Sequence, residues 1–202
     1  MRIGLFGGSF DPIHLGHLLI AVHAWESLRL DQLRLVPAAH SPLKPTDSHT
    51  AAEHRLEMLR LAVGGTPFLE VDDRELKRGG TSYTVDTLQS IHDEQPKADL
   101  VLIIGSDSLA SFPRWHQPER LLQLATLAVV ERGGEAESDF SVLNDFADSA
   151  TIEKSLQHRV AMPQIEISSS EIRRRVAAKQ TIRFQTPRAV EAYIEAHKLY
   201  TK

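Results

Sequence analysis

Arg2-Ile3-Gly4-Leu5-Phe6-Gly7-Gly8-Ser9-Phe10-Asp11-Pro12-Ile13-His14-Leu15-Gly16-His17 decides how the chain is read. Ile3-Gly4-Leu5-Phe6 is the short apolar run of a buried strand, and Leu18 to Leu28 has helical spacing. The glycine-rich stretch between them is therefore a strand-to-helix turn, the place where open α/β sheets bind ligands beyond the carboxyl ends of their strands. Gly7 and Gly8 let backbone N–H groups approach a phosphate. The following helix aims its positive end at the same point. His14 and His17 are spaced to put both imidazoles on one side of a helix start, and Gly16 leaves room for a nucleotide against the backbone. Two imidazoles there can donate to a triphosphate, stabilising charge on its α-phosphate and on departing pyrophosphate.

Outward from this turn, short apolar runs alternate with helical patterns. Strands are expected at Leu33–Val36, stopped by Pro37, and at Phe68–Val71, Leu100–Ile104 and Leu127–Val130. Helices are expected at Ala51–Val63, from Val85 to Ile91, and at Pro118–Leu124. Leu100-Val101-Leu102-Ile103-Ile104 is continuously apolar, as a central strand covered on both faces requires. Strands alternating with helices imply parallel pairing with right-handed crossovers, so the expected fold is α/β with a doubly wound parallel sheet. Residues 133–155 are polar and acidic and read as a variable surface excursion. A last strand is expected within Arg159–Ile167, interrupted by Pro163, then helices at Ser169–Ala178 and Pro187–His197. With no linker and no repeat, residues 1–202 read as a single domain with a helical C-terminal elaboration over about 169–202.

Composition narrows the function classes. The 202 residues are 42% hydrophobic and 25% charged, ordinary for a globular protein. A formal charge of −4 and a pI near 6.2 argue against a protein that coats nucleic acid. Absence of cysteine removes disulfide scaffolds and thiolate metal sites. Neither a signal-peptide pattern nor a long apolar span is visible, so a soluble, cytoplasmic protein without membrane partners is expected. His14 and His17 as a metal pair would find only Asp11 nearby, so no metal site is assigned. A Gly-x-Gly-x-x-Gly fingerprint and a Gly-Lys-Ser/Thr loop are both missing.

A second cluster of donors lies at Ile167-Ser168-Ser169-Ser170-Glu171-Ile172-Arg173. Ser168 and Glu171 have capping-box spacing at a helix start, with Arg173 to Arg175 adding positive charge. Asp107, in Ile104-Gly105-Ser106-Asp107-Ser108, follows the most buried strand and is placed to accept from a ribose hydroxyl. Tyr83 and Thr84 sit in Gly79-Gly80-Thr81-Ser82-Tyr83-Thr84-Val85, where hydroxyls and N–H groups precede a helix; the same pattern suits a simple helix cap.

The 7–17 segment resembles the His-x-Gly-His signature of the nucleotidyltransferase α/β-phosphodiesterase superfamily. More narrowly, it resembles the nicotinate-mononucleotide adenylyltransferase family, which commonly has Thr where Ser9 stands. Residues 167–173 are similar to that family's Ile-Ser-Ser-Thr-x-Ile-Arg motif, again with Ser for Thr. The resemblance runs from the first strand to the helix after Ser170. It implies an ATP site built from Gly8, Ser9, Phe10, His14, His17, Gly105, Asp107, Arg132, Ser168, Ser169, Ser170 and Arg173. Within it, 168–170 grip the phosphates from the side opposite the histidines. It gives Lys44 a phosphate contact beside His14 and His17 in catalysis, with His40 a lesser candidate in the same loop. Tyr83, Thr84, Trp115 and Lys44 fall to the pyridine mononucleotide, with the Trp115 indole facing a cationic ring.

The implied activity is transfer of AMP from ATP to nicotinate mononucleotide in NAD biosynthesis, with Mg²⁺ arriving on ATP. Partners would be ATP and a pyridine mononucleotide, with no nucleic acid. Oligomeric state is left open, a homo-oligomer included. Rival readings are an adenylyltransferase acting on phosphopantetheine or a flavin, a non-catalytic nucleotide sensor, and a structural protein on this fold.

Overall fold

Leu100, Leu102 and Ile104 bury into one apolar layer and Val101 and Ile103 into another, the pattern of a strand covered on both faces. In the computed structural model, which describes residues 1–42, 50–134 and 137–201, they belong to the fourth of six strands. These are β1 (Arg2–Gly8), β2 (Gln32–Pro37), β3 (Leu69–Val71), β4 (Asp99–Gly105), β5 (Thr126–Arg132) and β6 (Arg159–Met162). Their order across the sheet is β3-β2-β1-β4-β5-β6, and each neighbouring pair is parallel. The expected doubly wound α/β sheet is observed.

The helices are α1 (Leu15–Ser27), α2 (Ala52–Val63), α3 (Arg74–Arg78), α4 (Thr84–Glu94), α5 (Ser106–Ala110), α6 (Pro118–Leu124), α7 (Ser149–Leu156), α8 (Ser169–Ala177) and α9 (Arg188–Ala196). One face of the sheet is covered by Ala21 and Ala24 of α1, Met58 and Leu59 of α2, Ile172 of α8, and Val190 and Ile194 of α9. The other is covered by Val85, Leu88 and Ile91 of α4, Leu109 of α5 and Leu121 of α6. Each of the Leu, Ile, Val and Met side chains among them, fully buried, contributes about 1.5–3 kcal/mol of transfer free energy. Because β2 and β3 extend one way from β1 while β4 returns beside it on the other, the turns leaving β1 and β4 part company at one edge. That is the switch point, the place where open sheets of this kind bind their ligands.

The structure departs from the sequence reading in several places. α1 starts at Leu15 rather than Leu18, because His14 is its N-cap. β2 carries through Pro37, paired with Gly8; at a strand end the missing N–H costs no ladder bond. α3 and α5, five residues each, are too short to show a period. β6, by contrast, falls where it was expected, ending at Met162 before Pro163. The described part of the 133–155 segment is not a simple surface excursion: Phe140 and Leu143 are buried in the layer under α4, and α7 closes the segment. Two of its acids act as caps, Asp139 accepting from Ser141 N–H at 2.9 Å and Asp148 from Thr151 N–H at 2.8 Å. Among the described residues no helix is long and apolar enough to cross a membrane.

Candidate active site

The turn from β1 into α1 is tied down along its length. Arg55 Nη1 donates to the Ser9 carbonyl at 2.8 Å, and Arg173 Nη1 to the Asp11 carbonyl at 2.6 Å. Ser169 Oγ donates to the Pro12 carbonyl and Thr186 Oγ1 to the Ile13 carbonyl. Leu15 N–H then donates to the Gln185 carbonyl at 2.9 Å. A loop that would otherwise carry unpaired backbone groups is thus satisfied by three separate segments of chain.

This bracing sets two imidazoles at the N-terminus of α1, His14 buried and His17 half-buried. The His14 and His17 rings stack with centroids 3.7 Å apart and 25° between planes, so they share one side of the helix start as expected. His14 Nδ1 accepts from His17 N–H at 3.4 Å, which fixes the His14 proton on Nε2. Burial, reinforced by the Arg132 charge, lowers the His14 pKa to about 4. At neutral pH His14 is therefore an uncharged ring with one N–H to give. Phe10 stands edge-on to His17 at 5.1 Å.

Several predicted residues are placed differently from the sequence reading. The space over Gly16 is taken by His14: a Cβ there would meet its Nδ1 at 3.0 Å. Phe10 is 1% exposed, so its side chain is packing, and only its backbone is left to face a nucleotide. The 168–170 segment does not stand across a gap from the histidine loop. It abuts the loop through the Ser169–Pro12 bond, and a Cβ on Gly16 would lie 3.7 Å from the Ile167 carbonyl. Ser169 and Arg173 spend their side chains holding the loop. Half of the capping box forms, Ser168 Oγ accepting from Glu171 N–H at 3.2 Å, while the Glu171 carboxylate turns forward to Arg174. As at any helix start, the N–H groups of Ser169 and Ser170 have no partner within the helix.

The remaining candidates are placed by the strand ends and loops that carry them. Gly7 and Arg132, at the ends of β1 and β5, are exposed, and Arg132 is near enough to His14 to shift its titration. Gly105 ends β4, and Asp107 folds back over it: a Cβ on Gly105 would stand 2.7 Å from Asp107 Oδ1. Lys44 lies outside the described residues. His40 staples two loops together, its Nδ1 bonded to the Gly80 carbonyl at 3.1 Å and its own carbonyl accepting from Ser82 N–H.

On the acceptor side, Tyr83 and Thr84 sit at the start of α4, whose N-cap makes no side-chain hydrogen bond. The Tyr83 ring packs on His116 with centroids 4.4 Å apart. Trp115 is half-buried against Phe112, with Nε1 donating to Ser111 Oγ at 3.4 Å. This loop is held from below by Glu75, which is 6% exposed. Its carboxylate accepts from Thr87 Oγ1 at 2.6 Å and from Ser82. Burial pushes its pKa up, against the two hydroxyls and the Arg78 charge.

His116, Arg55, Glu75 and Thr186 escaped the sequence reading. His116 adjoins Trp115 and was legible as a neighbour. The other three act through long-range contacts that no local spacing encodes.

A parallel sheet with hydrogen-bond donors gathered at its switch point defines the class, an α/β nucleotidyltransferase. The cytidylyltransferase-like family model matches residues 5–175. A protein of Rhodopirellula baltica described as probable nicotinate-nucleotide adenylyltransferase is 47% identical over 198 residues, 98% of this chain and 92% of its own. One from a Roseiflexus species with the same description is 46% identical over 201 residues, covering 98% and 97%. Among solved structures, Plasmodium falciparum nicotinic acid mononucleotide adenylyltransferase complexed with NaAD superposes with a TM-score of 0.74 over 98% of this chain and 97% of that one. At 21% identity that match speaks for the fold. The chain belongs to the nicotinate-nucleotide adenylyltransferase family.

Proposed function

We propose that this chain transfers AMP from ATP to nicotinate mononucleotide, releasing pyrophosphate and forming nicotinate adenine dinucleotide for NAD biosynthesis. A phosphate oxygen of the mononucleotide bonds to the α-phosphorus of ATP as the bond from that phosphorus to the pyrophosphate oxygen breaks. The attacking phosphate is already ionised at neutral pH, so no general base is needed. The demand is to bring two polyanions together and to stabilise charge in transit.

The observation that carries this reading is the stacked His14–His17 pair at the N-terminus of α1. His14 would give its Nε2–H to a phosphate oxygen, with His17 beside it. The N–H groups of Ser169 and Ser170, Arg132, the backbone of Gly8, Ser9 and Phe10, and Lys44 would add further positive potential. Gly105 and Asp107 would face the nucleotide from β4. Tyr83, Thr84 and Trp115, joined by His116, would hold the mononucleotide.

The donors here are imidazole, guanidinium and N–H groups, and among the described residues no cluster of three His, Asp or Glu could hold a metal. Such a site suits Mg²⁺ carried by the phosphates and water, where it neutralises the triphosphate charge. Partners in this reading are ATP and the mononucleotide, and the setting is the cytoplasm.

The test is pyrophosphate release with ATP and Mg²⁺, comparing nicotinate mononucleotide, nicotinamide mononucleotide and phosphopantetheine. Highest kcat/KM with nicotinate mononucleotide supports the assignment. Release with phosphopantetheine alone refutes it, and ATP binding without release with any acceptor favours a nucleotide sensor.

A further inference from the structure

Asp11 lies between the glycines and the histidines of the loop, and its side chain is almost wholly buried, at 1% exposure. A carboxylate in that position persists only if it is paired and hydrogen-bonded. Tyr200 Oη–H donates to Oδ1 at 2.7 Å, and Thr50 N–H donates to Oδ2 at 3.1 Å. Arg55, itself 2% exposed, is close enough for its charge to act on both Asp11 and Tyr200. It also spends Nε on the Thr50 carbonyl at 3.0 Å and Nη1 on Ser9. Arg173 holds the Asp11 carbonyl from the other side. The Tyr200 ring packs against the apolar layer beneath α1, so ring and hydroxyl have separate tasks. The ring fills space, while the hydroxyl reaches across 189 residues of sequence to the loop. Burial and the Asp11 charge both keep that hydroxyl protonated, and therefore a donor.

We propose that Tyr200 is a positioning residue for adenylyl transfer: its hydroxyl latches the Asp11 carboxylate and so fixes the loop that carries His14 and His17. This rests on the function assigned above wherever turnover is the readout. Tyr200→Phe keeps the ring and removes the latch. Two measurements are made on the whole chain, steady-state kinetics with ATP, Mg²⁺ and nicotinate mononucleotide, and amide hydrogen exchange read by peptide mass.

Without the latch, kcat falls about tenfold, the size of one lost hydrogen bond to a charged group, and KM for either substrate stays within about twofold. Amides of residues 9–17 exchange about tenfold faster, while those of β4 do not change. Asp11→Asn shows the same kinetic pattern, and the double variant is no worse than Asp11→Asn alone. Unchanged exchange over 9–17 overturns the latch, and equal acceleration in β4 reduces it to a general stability effect. Unchanged kcat, or strictly additive variants, also overturns it. A wild-type chain that releases no pyrophosphate refutes the function instead, and the exchange comparison then decides whether Tyr200 holds the loop.

Discussion

His14 is the group whose titration the fold alters most usefully, and lowering the pH is the perturbation that exposes it. Its pKa falls from an ordinary 6.5 to about 4. Above pH 6.5 the ring is neutral in both folded and unfolded chains and the stability is complete. Below 6.5 the unfolded chain takes a proton that the folded one refuses, and stability drains until both are protonated near pH 4. The full loss is about 3 kcal/mol, and about 2 kcal/mol is already gone at pH 5.

The control is His14→Asn, which keeps a good N-cap and cannot titrate. Urea unfolding of both proteins at pH 7 and pH 5 isolates the difference, because other groups contribute equally to each. The wild type should lose about 2 kcal/mol more than the variant over that interval. Parallel losses, or a His14 ring-carbon NMR titration with its midpoint near 6.5, would refute the neutral buried imidazole and with it the role of an uncharged donor.

His17→Ala should lower kcat by about 10²–10³, as loss of one preorganised donor does, with little change in the thermal midpoint; unaltered kcat removes His17 from the chemistry. Arg55→Leu leaves the Ser9 and Thr50 carbonyls and the buried Asp11 charge uncompensated, so chemical denaturation should record a loss of about 3–5 kcal/mol. Trp115→Ala should raise KM for the mononucleotide between about twofold and thirtyfold, the span of a cation–π contact, with KM for ATP unmoved in the same assay. Leu143→Ala should cost about 2–5 kcal/mol in equilibrium unfolding, a value that a segment lying loose on the surface would not produce.

Much of the architecture was legible because buried parallel strands are written as unbroken apolar runs. Leu100–Ile104 and Leu127–Val130 lie within β4 and β5. The histidine turn was legible as well, since its glycines and imidazoles are contiguous. What stayed hidden was of two kinds. Short structure anchored by a few side chains, such as Phe140 and Leu143, has no period to detect in an acidic background. Bracing at long range has no local signature either: Thr186 on Ile13, Arg55 on Ser9 and Glu75 under Ser82 join segments that only the folded chain brings together. The same cause explains why Ser169 and Arg173 read as phosphate ligands. A hydroxyl and a guanidinium beside a helix start look alike whether they hold a nucleotide or the loop next to it.

The central place of β1 also bears on how the protein is made. β1 leaves the ribosome before the other five strands, yet one of its two neighbours follows far behind, Arg2 pairing with Asp99. Until β4 is synthesised, one edge of the most apolar layer stands unpaired, a template for any passing extended segment. The nascent chain is therefore most exposed to mispairing between completion of β3 and emergence of β4. Slow translation across that interval should lower the yield of folded protein more than an equal delay after β5.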